Sequence, residues 1–447
     1  MTAAPPLAHM SRRAILQVSL LNIAVALMIL PLESVLNRIM IQELGMAATL
    51  VAGLVALRYI TAPLRIVFGR ISDTRPIAGR RRTPYIAVGL VLMAVGLALA
   101  PLAAYSTPTL GTLGVLLTTG TFVLIGFGVN MVAPLYFAII ADQSNPMQRT
   151  RVVATMYVLL ALSAVIASLL IGQVLDPYTP DKVIAVCVTL AAVGLLCGVL
   201  GLWGLEKRAD PAQAQAMLPR PNEASLHEIG RLLLRNAEVF RFFAYLILTF
   251  IAIDAQEVVL EPYGAQIFAM TPGQTARLTS ILRLGLLIML LVGVVIVNRW
   301  GHKVGSLVGM ALTGVGLGLI IVGGMQGSAV LFQGGVFVLG CGSGLLATTN
   351  LSLMLNLTDP RTAGLHIGTW TFAQAVGVGG ATFGGGLLRD LGLALFNNSL
   401  AGYLTVFSVE IVALVLAVPF ILALSVQRFH ERNLVVSPAI ALAAAAE

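Results

Sequence analysis

Gly69-Arg70-Ile71-Ser72-Asp73-Thr74-Arg75-Pro76-Ile77-Ala78-Gly79-Arg80-Arg81-Arg82-Thr83-Pro84-Tyr85 is a charged run set between two long apolar segments. It carries five arginines in a chain where only 10% of residues are charged. A short Arg-rich loop between apolar spans marks the cytoplasmic side of a membrane. The flanking segments are long enough for a transmembrane helix, which needs about 20 apolar residues. The same alternation of apolar span and short polar loop recurs along the chain.

The 447 residues are 58% hydrophobic, a composition that points to a polytopic helical membrane protein. Hydropathy, with Gly, Pro and charge as punctuation, places twelve spans at 14–43, 47–70, 84–104, 111–141, 150–175, 182–204, 239–268, 274–298, 304–325, 328–357, 362–388 and 400–427. The expected fold class is all-α, with a six-helix half over 1–204 and a second over 239–428. A cytoplasmic loop over 205–238 joins them, and a tail follows at 429–447. The loop contains Pro211, Pro219 and Pro221 and ends in Ser225-Leu226-His227-Glu228-Ile229-Gly230-Arg231, whose pattern predicts an amphipathic helix on the membrane surface.

Charge fixes the orientation. Of 27 Lys and Arg residues, 20 fall at the termini and the even-numbered loops, including Arg12, Arg13, Arg149 and Arg361. Both termini are therefore expected in the cytoplasm. The net charge of +8 is read as topology and attraction to anionic lipid rather than as a nucleic-acid footprint. Cys187 and Cys197 are ten residues apart on one span, too far to bridge, and Cys341 stands alone. The first span is too long for a signal peptide. No metal-site spacing, nucleophile elbow or phosphate loop is present, so an enzyme is not expected.

The two halves echo each other at an offset of about 225 residues. Glu33 matches Glu257, and Leu57-Arg58 matches Leu282-Arg283. Asp73 lies fifteen residues after Arg58, as Asn298 lies fifteen after Arg283. Asp359-Pro360-Arg361 is similar to the stretch from Asp142 through Pro146 to Arg149. Parallel six-span repeats are the architecture of the major facilitator superfamily, whose binding sites lie between the halves. The loop residues Gly69, Asp73, Gly79, Arg80, Arg81 and Arg82 resemble that superfamily's second-to-third loop motif, with three extra residues before the Gly-Arg-Arg element. The resemblance implies a loop that locks the halves by ion pairing at a helix N-terminus.

Further strings narrow the likeness: Glu33-Ser34-Val35-Leu36-Asn37-Arg38-Ile39-Met40, Gly79-Arg80-Arg81-Arg82-Thr83-Pro84-Tyr85, Thr358-Asp359-Pro360-Arg361-Thr362-Ala363-Gly364-Leu365 and Gly368-Thr369-Trp370. Together they resemble the PucC/LhaA group, the bacteriochlorophyll delivery branch of the superfamily, over nearly the whole chain. The resemblance implies an assembly factor for light-harvesting complexes in a bacterial cytoplasmic or intracytoplasmic membrane. It also implies transient handling of bacteriochlorophyll or chlorophyll, with antenna polypeptides, a reaction centre and the lipid bilayer as partners.

Ionisable groups in hydrocarbon face partners or cavities. Glu33, Arg58, Arg65, Asp254, Glu257, Glu261 and Arg283 lie within spans. Asp254, Glu257 and Glu261 recur at i, i+3, i+7, which predicts one helix face. Glu33–Arg58 and Glu257–Arg283 read either as structural ion pairs, one in each half, or as a polar site for substrate or proton coupling. Asp254 and Glu261 have no symmetric match and are the sharper candidates. Pro31 and Pro262 can break their helices beside these charges.

For a pigment, an axial ligand to the magnesium is needed. His366 is the best placed of His9, His227, His302, His366 and His430, with Asn130, Asn350, Asn356 and Gln374 as amide alternatives. The glycine clusters at 340–344 and 377–386 read as close helix packing. Two other functions stay open. One is proton-coupled transport of a small hydrophobic or amphipathic solute through Glu33, Asp254 or Glu257. The other is a scaffold subunit of a photosynthetic supercomplex.

Overall fold

In lipid a backbone N–H or C=O has no partner but another backbone group, so each apolar run closes into a helix. The computed structural model describes residues 10–206, 226–358, 363–429 and 431. The helices are α1 (Arg12–Gln42), α2 (Ala48–Thr74), α3 (Thr83–Tyr105), α4 (Thr112–Gln143), α5 (Pro146–Val174) and α6 (Pro180–Leu202). After the central loop come α7 (Leu226–Arg235), α8 (Ala237–Asp254), α9 (Leu260–Phe268), α10 (Pro272–Gln326), α11 (Ala329–Asn356), α12 (Ala363–Phe396) and α13 (Ser399–Ala423). Among the described residues the only β pairing is an isolated bridge between Ile77 and Arg80.

Nine of the described helices are each long and apolar enough to cross a membrane. One of them, α10, is 55 residues long and breaks at Gly301. The φ of 81° and ψ of 170° there form a conformation open to glycine and little else. The expected eighth and ninth spans are its two arms. The expected seventh span is α8 and α9, joined by a tight turn at Ala255–Val258. The amphipathic helix is present as α7, bent by 110° from the helix that follows. Leu232 and Leu233 pack inward, while Leu234 is 91% exposed. The Asp359-Pro360-Arg361 repeat element, the three prolines of the central loop and the tail beyond Glu431 lie outside the described residues.

Two hydrophobic cores form, one from Met10 to Leu205 joined by Val258 and Ala276, the other from Val239 to Phe429. The halves meet along two seams, α2 against α12 and α5 against the first arm of α10. Small residues make the seams tight. Across the seam between α2 and α12, a Cβ on Gly386 would press on Ala48 and Ala52; within the second half, one on Gly385 would overlap the carbonyl oxygen of Ala255. The 340–344 glycines let α11 lie against both arms of α10, meeting Leu282, Leu286 and Thr313.

Candidate functional site

Three helices lose their regular turn at one level of the molecule. After Pro31 the chain widens into a π turn at Leu32–Leu36 that carries Glu33. Such bulges recur at functional sites. Helix α2 breaks at Thr61–Pro63, just after Arg58, because a proline ring cannot sit above the carbonyl of residue i−4. The tight turn Ala255–Val258 carries Glu257, and Pro262 bars a regular helix there for the same reason.

The charges on these turns converge. Arg58 Nη1 pairs with Glu33 Oε1, Arg58 Nη2 lies 3.4 Å from Glu257 Oε2, and Arg283 Nη2 lies 3.5 Å from Glu33 Oε2. Arg58 also donates to the Tyr59 hydroxyl at 2.8 Å. The reading of one ion pair per half is thus corrected. Glu33–Arg58 forms, but Glu257 reaches Arg58 across the interface and Glu33 reaches Arg283. The two broken turns face each other, so each acid finds a guanidinium from the opposite half.

Glu261 is buried and neutral groups satisfy it: Thr279 Oγ1 donates at 2.9 Å and Asn37 Nδ2 at 3.4 Å. Asn37 belongs to α1, so this contact also crosses the interface. Asp254 makes no carboxylate hydrogen bond or ion pair among the described residues. It faces a cavity of about 140 Å³ whose polar wall includes Glu33, Glu257, Glu261, Arg283 and Ser343. The expected shared face is realised by that cavity, although the helix breaks between Asp254 and Glu261. The region holds four carboxylates against two guanidiniums.

Deeper along α2, Arg65 Nε donates to Asn130 Oδ1 at 2.6 Å. Asn130 in turn donates to the Arg58 carbonyl, to Thr61 Oγ1 and to the Gly126 carbonyl, each at 2.8 Å. Asn130 is fully buried and occupied. Tyr59, the contact of Asn37 with Glu261 and the positioning of Arg65 by Asn130 were not singled out from sequence; Pro63, between Arg58 and Arg65, was the available signal.

The other candidates are spread out. His366 is 4% exposed, enclosed beside Trp370 and under Phe429, whose ring centroid is 5.7 Å away. A planar macrocycle has no approach to that ring in this arrangement. Asn350 is buried beside Thr249, Asn356 sits near His302 at an exposed helix end, and Gln374 is exposed.

In the loop motif, Asp73 accepts from Arg81 at 2.9 Å and lies 3.7 Å from Arg82, which pairs with Asp142 at 2.7 Å. Gly79 takes a φ of 75°, turning the chain back toward α3. Glu206, unremarked in sequence, accepts from the backbone N–H groups of Arg81 at 2.8 Å and Thr83 at 2.8 Å, capping α3. The anion at a helix N-terminus is present. None of these pairs reaches the second half, so among the described residues this loop makes no lock between the halves.

The halves are fastened at the opposite end instead. Asp390 Oδ2 accepts from Thr49 N at 2.7 Å and Thr49 Oγ1 at 2.8 Å, capping α2 from the other half. Arg389 pairs with Asp390 at 2.8 Å and donates to Gln266 at 3.2 Å. Arg38 donates to the Met270 carbonyl at 3.2 Å, and Ser168 meets Ser280 at 2.7 Å.

A family model described as "PUCC protein" matches residues 35–429. "Protein PucC" of Cereibacter sphaeroides is 30% identical over 440 residues, covering 94% of each chain. The "Bacteriochlorophyll synthase 44.5 kDa chain" of Rhodobacter capsulatus is 30% identical over 415 residues, 90% of this chain and 93% of that one. Among solved structures, the nucleoside transporter NupG matches with a TM-score of 0.70 at 12% identity, covering 92% of this chain and 99% of that one. A bacterial homologue of the iron transporter ferroportin matches with a TM-score of 0.68 at 14% identity, covering 92% and 98%. The fold is that of the major facilitator transporters.

Proposed function

This chain belongs to the PUCC protein family, and from that membership we propose a photosynthetic role, the assembly of light-harvesting complexes. In this reading it handles bacteriochlorophyll or chlorophyll beside antenna polypeptides in a bacterial inner membrane, with both termini in the cytoplasm, and catalyses no reaction. The observation that carries it is the family match over residues 35–429, which takes in both halves and the interface between them. The name of a relative, a bacteriochlorophyll synthase chain, supports the link to pigment.

Geometry limits where a pigment can be handled. Sites for drug-sized ligands occupy about 300–1,000 Å³. The central cavity, at about 140 Å³, is too small for a tetrapyrrole. We place pigment handling between the halves on the side away from the Asp390 cap, or on an outer face.

One observation favours a second reading, a proton-coupled transporter of a small amphipathic solute. Glu33, Asp254, Glu257 and Glu261 line the cavity with Arg283, Arg58 pairs with Glu33 and Glu257 beside it, and Asp254 has no partner among the described residues. Protons would balance the surplus of carboxylates.

The test is an absorption spectrum of the protein purified in mild detergent from its native host, with co-purifying polypeptides identified. A chlorophyll or bacteriochlorophyll band with antenna polypeptides is expected. Stoichiometric association with a reaction centre but no pigment would favour a scaffold. A colourless protein without partners would overturn the assembly role and favour transport.

A further inference from the structure

Arg65 is a charge at membrane depth with no acid beside it. It follows Arg58 by seven residues across the break at Thr61–Pro63, and Asn130 joins the two, accepting from Arg65 Nε and donating to the Arg58 carbonyl. No carboxylate lies within ion-pair distance of it among the described residues. Its one described hydrogen bond, Nε to Asn130, uses the inner edge of the guanidinium. Asn130 cannot turn away, because its amide nitrogen already donates to three oxygens on α2 and α4. The two terminal nitrogens are left pointing away from this anchor.

Arg65 itself is partly rather than fully buried. Below the break at Thr61–Pro63 the segment Leu64–Thr74 packs against α4 of its own half. Ile66 and Val67, next to Arg65, are about half exposed. The fastenings between halves described above lie on the other side of the central cluster. Tyr59 and Tyr136 lie near enough to the guanidinium to interact with it electrostatically.

We infer that Arg65, held by Asn130, is the anion-binding point of the molecule, taking the acid group of an amphipathic ligand that enters between the halves. A guanidinium with its inner nitrogen anchored and its outer fork free matches a carboxylate or phosphate in two-pronged geometry. The acid can be the free propionate of an unesterified chlorin, since chlorophyll and bacteriochlorophyll carry theirs as an ester, or a lipid headgroup, and both offer acid oxygens to the fork. The inference rests on the proposed function in one respect, that an amphipathic ligand enters on this side.

The experiment uses the full chain in phosphatidylcholine nanodiscs. Pyropheophorbide-a, a metal-free chlorin with one carboxylic acid, and its methyl ester are titrated separately, with chlorin fluorescence as the readout. A parallel arm adds phosphatidylglycerol as competitor. Wild type is expected to bind the acid about tenfold tighter than the ester. Arg65→Gln removes that preference and leaves ester affinity unchanged, while Arg65→Lys keeps a reduced preference. Asn130→Asp, which sets a carboxylate against Nε, removes the preference by a second route should Arg65→Gln fail to fold.

If the chlorin does not bind but phosphatidylglycerol is retained in an Arg65-dependent way, the site stands, its ligand is a lipid, and the pigment reading fails. Equal binding of acid and ester by wild type, or a preference that survives in folded Arg65→Gln, overturns the site and leaves the pigment reading intact. Arg65-independent binding of both anions overturns it as well.

Discussion

Glu33 sits between Arg58 of its own half and Arg283 of the other, so its carboxylate holds two guanidiniums in place at once. Removing one member of a buried pair costs about 3–5 kcal/mol because the partner charge is left behind. Glu33→Gln is therefore expected to lower thermal stability by that order, measured by melting the detergent-solubilised protein. The double variant Glu33→Gln/Arg58→Met recovers part of the loss, since residues in one network are not additive. Asp254 gives the opposite expectation. Its carboxylate satisfies nothing among the described residues, so Asp254→Asn leaves the melting temperature unchanged or raises it. A clear fall would mean that the carboxylate has a structural partner. Most intramembrane acids and arginines were legible from sequence as charge in an apolar run, but Glu410 of α13, buried and accepting from Gln256 N at 2.6 Å, was not singled out. Which acid meets which arginine was not legible, because that depends on how two halves more than 200 residues apart are docked.

At the scale of elements, prolines and glycines decide the shape of the interface. Pro31, Pro63 and Pro262 stand beside the three irregular turns, and those turns carry the converging charges. Gly385 lets α12 lie on the turn at Ala255, where a side chain has no room. Gly386, one residue on, faces Ala48 and Ala52 of α2, and Gly386→Ala is expected to force that seam between the halves apart, at a cost of about 1–3 kcal/mol for an overpacked contact. Exposure of the adjoining end can be followed by maleimide labelling of Met46→Cys in a background without the three native cysteines. Labelling should rise. Asp390→Asn weakens the cap on α2, a change of about 1 kcal/mol, and should raise labelling at the same position by a smaller amount. No change with either variant would mean that these contacts do not hold that end closed. The glycine clusters were legible as packing residues, but not their partners, since glycine carries no side chain to declare what it faces.

The whole molecule follows from two six-helix halves joined by a polar loop, with basic residues gathered on one side. A cysteine at Ala78 and another at Asn397 fall on opposite sides under the expected topology. In intact cells an impermeant maleimide should label Asn397→Cys and spare Ala78→Cys. The reverse pattern would invert the orientation.

What the residues themselves determined is local and periodic. About 20 apolar residues with no water to satisfy the backbone must form a helix. Arginine clusters set the direction expected of it, and a duplicated pattern of acids and arginines marks two related halves. What only the tertiary structure decided is pairing across distance. Docking of the halves turned two expected ion pairs into one network through Glu33 and Arg58. It gave Asp390 the task of capping α2 and left the loop motif to bind its own half through Glu206. These outcomes hinge on where side chains from remote segments meet, and sequence spacing fixes only which residues share a helix face.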